Sequence, residues 1–300
     1  MLFSEVSKAF IHAYEGRDPT LAGRMDWWTS HLGTTEFSAV TSEQVESALD
    51  ALAQRGAMRN VRGRGLQPTG RPIAPATLNR YRAALGSLFK WAKARRLTPR
   101  GWVSPLRDVP TQREGEGALV YLTAEQMEKV LAAARLMVWK KLPALLLLAF
   151  TTGLRRGSIE ALRWRDVDLS RRRITIARTK NGRPHVAHLT ERVAQEMERM
   201  PGPRDADLLV FGSTKGDDRP HNFNHSWTRV QEIAGLPRVK FHALRHSCAS
   251  HAAAHGASQV MLMDLLGHRS LRMVQRYAHL GIDDRAAFVD KVFASTASGG

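Results

Sequence analysis

The stretch Pro105–Gly117, PLRDVPTQREGEG, constrains this chain most. It mixes proline, glycine and charge without an apolar period, so neither a packed helix nor a half-buried strand can run through it. Cut there, the 300-residue chain leaves two segments, each long enough to bury a core. We place domains at 1–107 and 119–300, joined by a linker at 108–118. Lysine and arginine number 45 against 28 acidic residues, a net charge of +17; such an excess favours a polyanionic partner, nucleic acid first. Cys248 is the lone cysteine, which excludes an internal disulfide and suits a reducing interior. The amino terminus lacks a basic start followed by an apolar run, so no secretory signal is read there. Leu142–Phe150 is apolar but far shorter than the roughly twenty residues of a bilayer span, and reads as a buried helix. No membrane partner is expected, and the location is expected to be cytoplasmic.

In the first segment Val6, Phe10 and Tyr14 recur every four residues, the period of a short amphipathic helix. Trp27 and Trp28 are assigned to the core. Thr41 and Gln44 form a capping box ahead of Val45, Leu49 and Leu52, and Gly56 ends that helix. Gly56–Pro75 is rich in glycine, proline and arginine and reads as a loop, either a solvated connection or a basic loop on DNA phosphates. Thr77–Arg96 is the clearest helix: Leu78, Tyr81, Leu85, Leu88 and Ala92 share one face, while Arg80, Arg82, Lys90, Lys93 and Arg96 lie mostly off it, where they can meet phosphate.

The second segment opens with another capping box, Thr123 with Gln126, where Leu122 can staple against Met127. Ile174 and Ile176 alternate with polar residues, His185–Leu189 is a second extended run, and Asn181-Gly182 between them signals a hairpin with Lys180 at its turn. Further helices are expected over Thr190–Met200, Asn222–Ala234 and Asp284–Ala294. Phe241–Leu280 holds the most chemistry and reads as three short helices. His242 and Arg245 are three apart on the first; Ser258 caps the second, which Gly267 stops, leaving His268 at its exit; Ser270 caps a third, with Val274 and Tyr277 three apart. Cleaving a phosphodiester needs a nucleophile, positive donors for the non-bridging oxygens and an acid for the leaving alkoxide. Tyr277 can be the nucleophile, but a phenol with a reference pKa of about 10 needs cationic neighbours or a base, and Arg245 and the two imidazoles of His242 and His268 are such neighbours. Each feature alone is commonplace.

Taken in order, HALRHSCASH, LLGHRS and QRYAHL, with the tyrosine nine residues after His268, resemble the tyrosine recombinase (phage integrase) family. TTGLR, with Arg155 at a helix junction, resembles its first catalytic arginine motif, and TKNGRP its hairpin lysine, Lys180. ATLNRYRAALGSLFKWA resembles the last long helix of its DNA-gripping bundle. The likeness covers Leu119–Leu280 well and Pro75–Arg96 moderately. It departs at Ser158, where the family usually has an acidic residue; Glu160 is out of phase on a helix.

The resemblance implies a mainly α fold, with an all-helical core-binding domain and a mostly helical (α+β) catalytic domain carrying a small antiparallel β-sheet. It implies a site made of Arg155, Lys180, His242, Arg245, His268 and Tyr277, a 3′-phosphotyrosyl intermediate, and no metal, ATP or other cofactor. The implied partners are double-stranded DNA at a recombination site, three further copies in a synaptic homo-tetramer, and an accessory DNA-bending protein in some systems, in the cytoplasm at the nucleoid. No room is seen before Val6 for the arm-binding domain of larger phage integrases. Three other readings stand beside this one: a type IB topoisomerase working as a monomer, a non-catalytic architectural DNA-binding protein, and a metallohydrolase. The last would use the i, i+4 pairs His221/His225, His242/His246 and His251/His255, none of which has the glutamate of HExxH.

Overall fold

The computed structural model describes the chain except Arg17, Arg62, residues 116–118, 178–183, 215–217 and 282–300, and the side chains of 279–281. Two units divide it, Met1–Gly117 and Ala118–Gly300. In the first, helices α1 (Phe3–His12), α2 (Leu21–Leu32), α3 (Ser42–Arg55) and α4 (Pro75–Ala94) each turn an apolar stripe inward. Phe3, Val6 and Phe10 line α1; Leu21, Met25, Trp28 and Leu32 line α2; their spacings of three and four are those of one helical face. Thr41 and Gln44 cap α3 reciprocally, at 3.3 and 3.1 Å, as the sequence predicts. Trp28 is fully buried, whereas Trp27 is partly buried under the Arg55 guanidinium.

Three features of this unit differ from the sequence reading. Gly56–Pro75 is more than a loop: strands β1 (Met58–Val61) and β2 (Gly65–Pro68) pair antiparallel, with Arg59 opposite Gln67 and Asn60 opposite Leu66. The first unit, expected to be all-helical, therefore adds a hairpin to its helices. Arg82, expected on a phosphate-facing side, donates instead to the carbonyls of Val109 and Leu106 at 2.9 and 2.8 Å. Much of the expected linker is fastened down as well. Val109 is buried in this core beside Leu106 of the first domain, and Asn79 bonds the backbone of Gln112 in both directions at 2.8 Å.

In the second unit α5 (Ala124–Arg135), α6 (Leu142–Thr152), α7 (Arg156–Glu160), α8 (Glu191–Glu198), α9 (Asn224–Ile233), α10 (Ala243–Ala254) and α11 (Gln259–Leu266) surround a central core. Strands β3 (Val167–Asp168), β4 (Arg173–Ile176) and β5 (His185–His188) form one antiparallel sheet in that order. The pairing of β4 with β5 bears out the two extended runs; the Asn181-Gly182 turn, Lys180 and the expected helix Asp284–Ala294 lie outside the described residues. Residues Leu142 to Ala149 of α6 are all buried, so this helix is apolar all round and forms the middle of the core. Ser258 caps α11 through the Met261 amide, and Gly267 ends it in a left-handed conformation. Beyond it, the expected third helix is replaced by two 3₁₀ turns, Leu271–Met273 and Gln275–Gly281. In that tighter winding residues three apart eclipse, so Val274 and Tyr277 both point inward and are 0 % and 2 % exposed.

The end of α6 is packed to its limit. Gly153 has a φ of +61°, and a Cβ there would lie 2.7 Å from Leu266 Cδ2 and 3.2 Å from Cys248 Sγ. Cys248, buried on α10, donates from its thiol to Thr151 O at 3.3 Å, and burial pushes that thiol up to about 12. Left-handed backbone costs a Cβ-bearing residue about 1–2 kcal/mol, and overpacking about 1–3 kcal/mol. Gly153→Ala is therefore expected to lower unfolding free energy by about 2–5 kcal/mol in urea titration. A loss below about 0.5 kcal/mol would mean that α11 withdraws freely from this end.

Candidate active site

Arg245 stands on the first turn of α10 and is only 5 % exposed. Its guanidinium donates to Gly153 O, to Leu266 O at 2.6 Å and to His268 Nε2 at 2.7 Å. Among the described residues no carboxylate pairs with it. Burial, and then the nearby charge of Arg155, push its pKa down to about 10, so it stays cationic at neutral pH. A guanidinium has no acceptor, so the bond to His268 places the lone pair on Nε2 and the proton on Nδ1. That Nδ1 is buried and has no partner among the described residues. Burial first, then Arg245, Arg155 and the other two histidines, push His268 down to about 4.

Tyr277 lies beneath the same surface. Its hydroxyl is 2.6 Å from His246 Nδ1. His246 is pushed down to about 4 by burial and then by His242, Arg276 and Arg245, so its ring is neutral at pH 7 and can accept the phenolic proton. Burial raises the phenol's pKa and outweighs the pull of Arg276 and Arg245; Arg245 acts as the sequence predicts, whereas the expected cationic imidazoles of His242 and His268 are themselves lowered and do not act on the phenol. Substrate-free Tyr277 is therefore a neutral phenol held on an imidazole.

Arg155 caps α7 just beyond the Gly153 turn. It has no hydrogen-bond or ion-pair partner among the described residues, and partial burial lowers its pKa. Glu160 does not replace the acidic residue missing at Ser158, because it binds Arg156 at 2.7 Å. His242 is exposed at the start of α10, its ring perpendicular to that of His246 at 4.8 Å; desolvation, then Arg245, Arg155 and Arg276, lower its pKa. Five of the six expected residues thus converge, and Lys180 is outside the described set.

Two further histidines belong to this cluster. His246 carries no signal beyond its place after the arginine of HALRH, and had suggested only a helical partner for His242. His185 opens β5 against Gly267, where a Cβ would lie 3.4 Å from its Nδ1; burial lowers its pKa, Asp264 raises it, and Arg245 and Arg155 lower it. A strand returning from the Lys180 turn was the available clue. The other i, i+4 pairs have separate tasks. His221 stacks on Trp139 at 4.1 Å, and His251 Nε2 donates to Leu122 O at 2.9 Å.

The model of the Phage integrase family matches residues 120–282. The chain is 28% identical over 227 residues to the shufflon-specific DNA recombinase of Escherichia coli, covering 74% of this chain and 56% of that protein. It is thus aligned with little more than half of that relative's length. It is 23% identical over 302 residues to the integrase of Salmonella phage P22, covering 91% of this chain and 75% of the phage protein. Among solved structures the Tn1549 transposon integrase in complex with transposon right end DNA superposes with a TM-score of 0.69 at 18% identity, over 98% of this chain and 100% of that one. That likeness is one of fold.

The two depressed imidazoles make stability depend on pH. Unfolded, His246 and His268 take up protons near 6.5; folded, they resist until about 4. In that window the unfolded chain binds more protons, so stability falls as pH drops from 6.5 towards 4. In His268→Gln the amide oxygen can still accept from Arg245 but does not titrate. Urea midpoints measured across the window should fall less steeply in this variant, by up to about one proton's worth of slope; an unchanged slope would mean that His268 is not held neutral.

Proposed function

The chain belongs to the phage integrase family, and on that premise we propose that it is a site-specific DNA recombinase that cuts and rejoins duplex DNA through Tyr277. One observation carries the proposal: Arg155 lies close enough to Arg245 to lower its pKa, Arg245 also acts on the Tyr277 hydroxyl, and no carboxylate neutralises either guanidinium among the described residues. A cationic seat of this kind fits a phosphodiester. Three of Arg245's N–H groups are engaged, which leaves two of the five for non-bridging oxygens. Arg155 has its whole fork, and His242 is exposed beside it.

The reaction follows from these positions. Tyr277 Oη attacks phosphorus as its proton passes to His246 Nδ1, while Arg155, Arg245 and His242 hold the charge growing on the non-bridging oxygens. His268 keeps the Arg245 fork in place. The bond to the 5′ oxygen breaks, and Lys180 supplies the proton that oxygen needs. The products are a 3′-phosphotyrosine and a free 5′-hydroxyl, which then attacks the phosphotyrosine of the partner strand. Bond energy is kept throughout, so these steps call for neither ATP nor a metal. Two duplexes exchanged in this way need four copies of the chain, a homo-tetramer on DNA, with an accessory bending protein where the site demands one.

Incubation with nicked duplex from the ends of the host element should trap a covalent complex. Tyr277→Phe should bind that duplex normally and form none; an adduct from the variant would exclude Tyr277 as nucleophile. Lys180→Ala should cleave about a hundred to ten thousand fold more slowly, the usual worth of a general acid, and recover when sulfur replaces the bridging 5′ oxygen, since thiolate leaves without a proton. Arg155→Ala should not recover, because its task lies at the non-bridging oxygens. Equal rescue of both variants, or of neither, would make Lys180 a phosphate contact.

A further inference from the structure

The β1–β2 hairpin of the first unit contributes almost nothing to its own core. Met58 and Val61 are half-buried, and every other strand residue is exposed, Leu66 to 61 %. Two short strands alone are marginal in water, yet this pair is held at its base. Ala57 N donates to Arg71 O and Thr69 N to Ala57 O, both at 2.9 Å, and a Cβ on Gly56 would meet Arg71 O at 3.0 Å. The ribbon is thus a projecting element on a pinned root.

Its charge has one sign. Gly56–Pro75 carries arginines at 59, 62, 64 and 71 and no acidic residue, and among the described residues Arg59, Arg64 and Arg71 have no ion-pair partner. In the antiparallel register Arg59 faces Gln67 across the strands, so their side chains leave the same face. Gln67 Nε2 donates to Arg64 O at 2.8 Å, which fixes its amide, and its oxygen has no partner among the described residues. A two-stranded ribbon fits the major groove of B-DNA, where arginine reads guanine and glutamine reads adenine.

We propose that this ribbon enters the major groove of the target duplex, with Arg59 and Gln67 on base edges and Arg64 and Arg71 on flanking phosphates. The proposal rests on duplex DNA being the partner of the chain. It makes the hairpin a determinant of which sequence is bound, separate from the residues that cut.

The full chain can be tested by selection from a randomised duplex library, followed by binding to duplexes with single base-pair changes. Wild type should select a motif. Arg59→Ala/Gln67→Ala should select the same motif with two or three adjacent positions relaxed, each losing about five- to a hundredfold discrimination. Arg71→Ala should weaken all duplexes alike and reduce the slope of log affinity against log salt by about 0.9. Replacing 58–68 by a short glycine-serine turn gives a further arm, with far-UV circular dichroism and thermal unfolding as checks on the fold. A motif left intact by both hairpin variants would overturn the ribbon proposal while leaving DNA binding standing. Uniform weakening by Arg59→Ala/Gln67→Ala would overturn base reading. A wild-type chain that selects no duplex would overturn the recombinase reading together with this one.

Discussion

A single buried guanidinium organises the second unit. Arg245 ties the end of α6, through Gly153 O, to the end of α11, through Leu266 O, and to His268 in the turn that follows. Both carbonyls belong to helix carboxyl ends, where the helix dipole is negative and a cation is favoured. Left-handed glycines at 153 and 267 end the two helices at these points. Burying a charge costs several kcal/mol, and here neutral acceptors offset that cost in place of a carboxylate. They fix the fork's orientation and leave its charge uncancelled. An ion pair would have fixed the orientation and removed the charge.

The neighbours of Arg245 bear the consequence. Desolvation first, and then the surrounding positive charge, lowers the pKa of His242, His246 and His268, two of them down to about 4. Burial keeps Tyr277 protonated against the same potential. The site is therefore full of proton acceptors around an un-ionised phenol, with positive charge and no carboxylate on its arginines among the described residues.

Much of this was legible in the sequence because the rules involved are local. Capping boxes at Thr41 and Thr123, the glycine stops and the apolar run of α6 depend on neighbours a few residues away, and the structure has them as expected. The convergence of Arg155 with Arg245, His242 and His268 is not local, and only the likeness of ordered motifs to a family made it visible. What escaped depends on distant backbone. The hairpin buries no alternating face, so its strands left no period to detect. Arg82 sits on the expected polar side of its helix, yet its guanidinium is occupied by the Leu106 and Val109 carbonyls. His246 has the right spacing for a pair with His242, and the winding of the last turns gives it Tyr277 as well.

The close packing at Gly153 also makes the chain's one thiol inert. Cys248 is 6 % exposed with its pKa pushed up to about 12, so almost none of it is thiolate at neutral pH. A maleimide dye added to the native protein would leave it unlabelled. A cysteine introduced at an exposed position such as Ser87 on α4 would then be the only reactive one. Fluorophores could thus be placed on either unit, and their separation followed as the chain meets a duplex, without first removing the native sulfur.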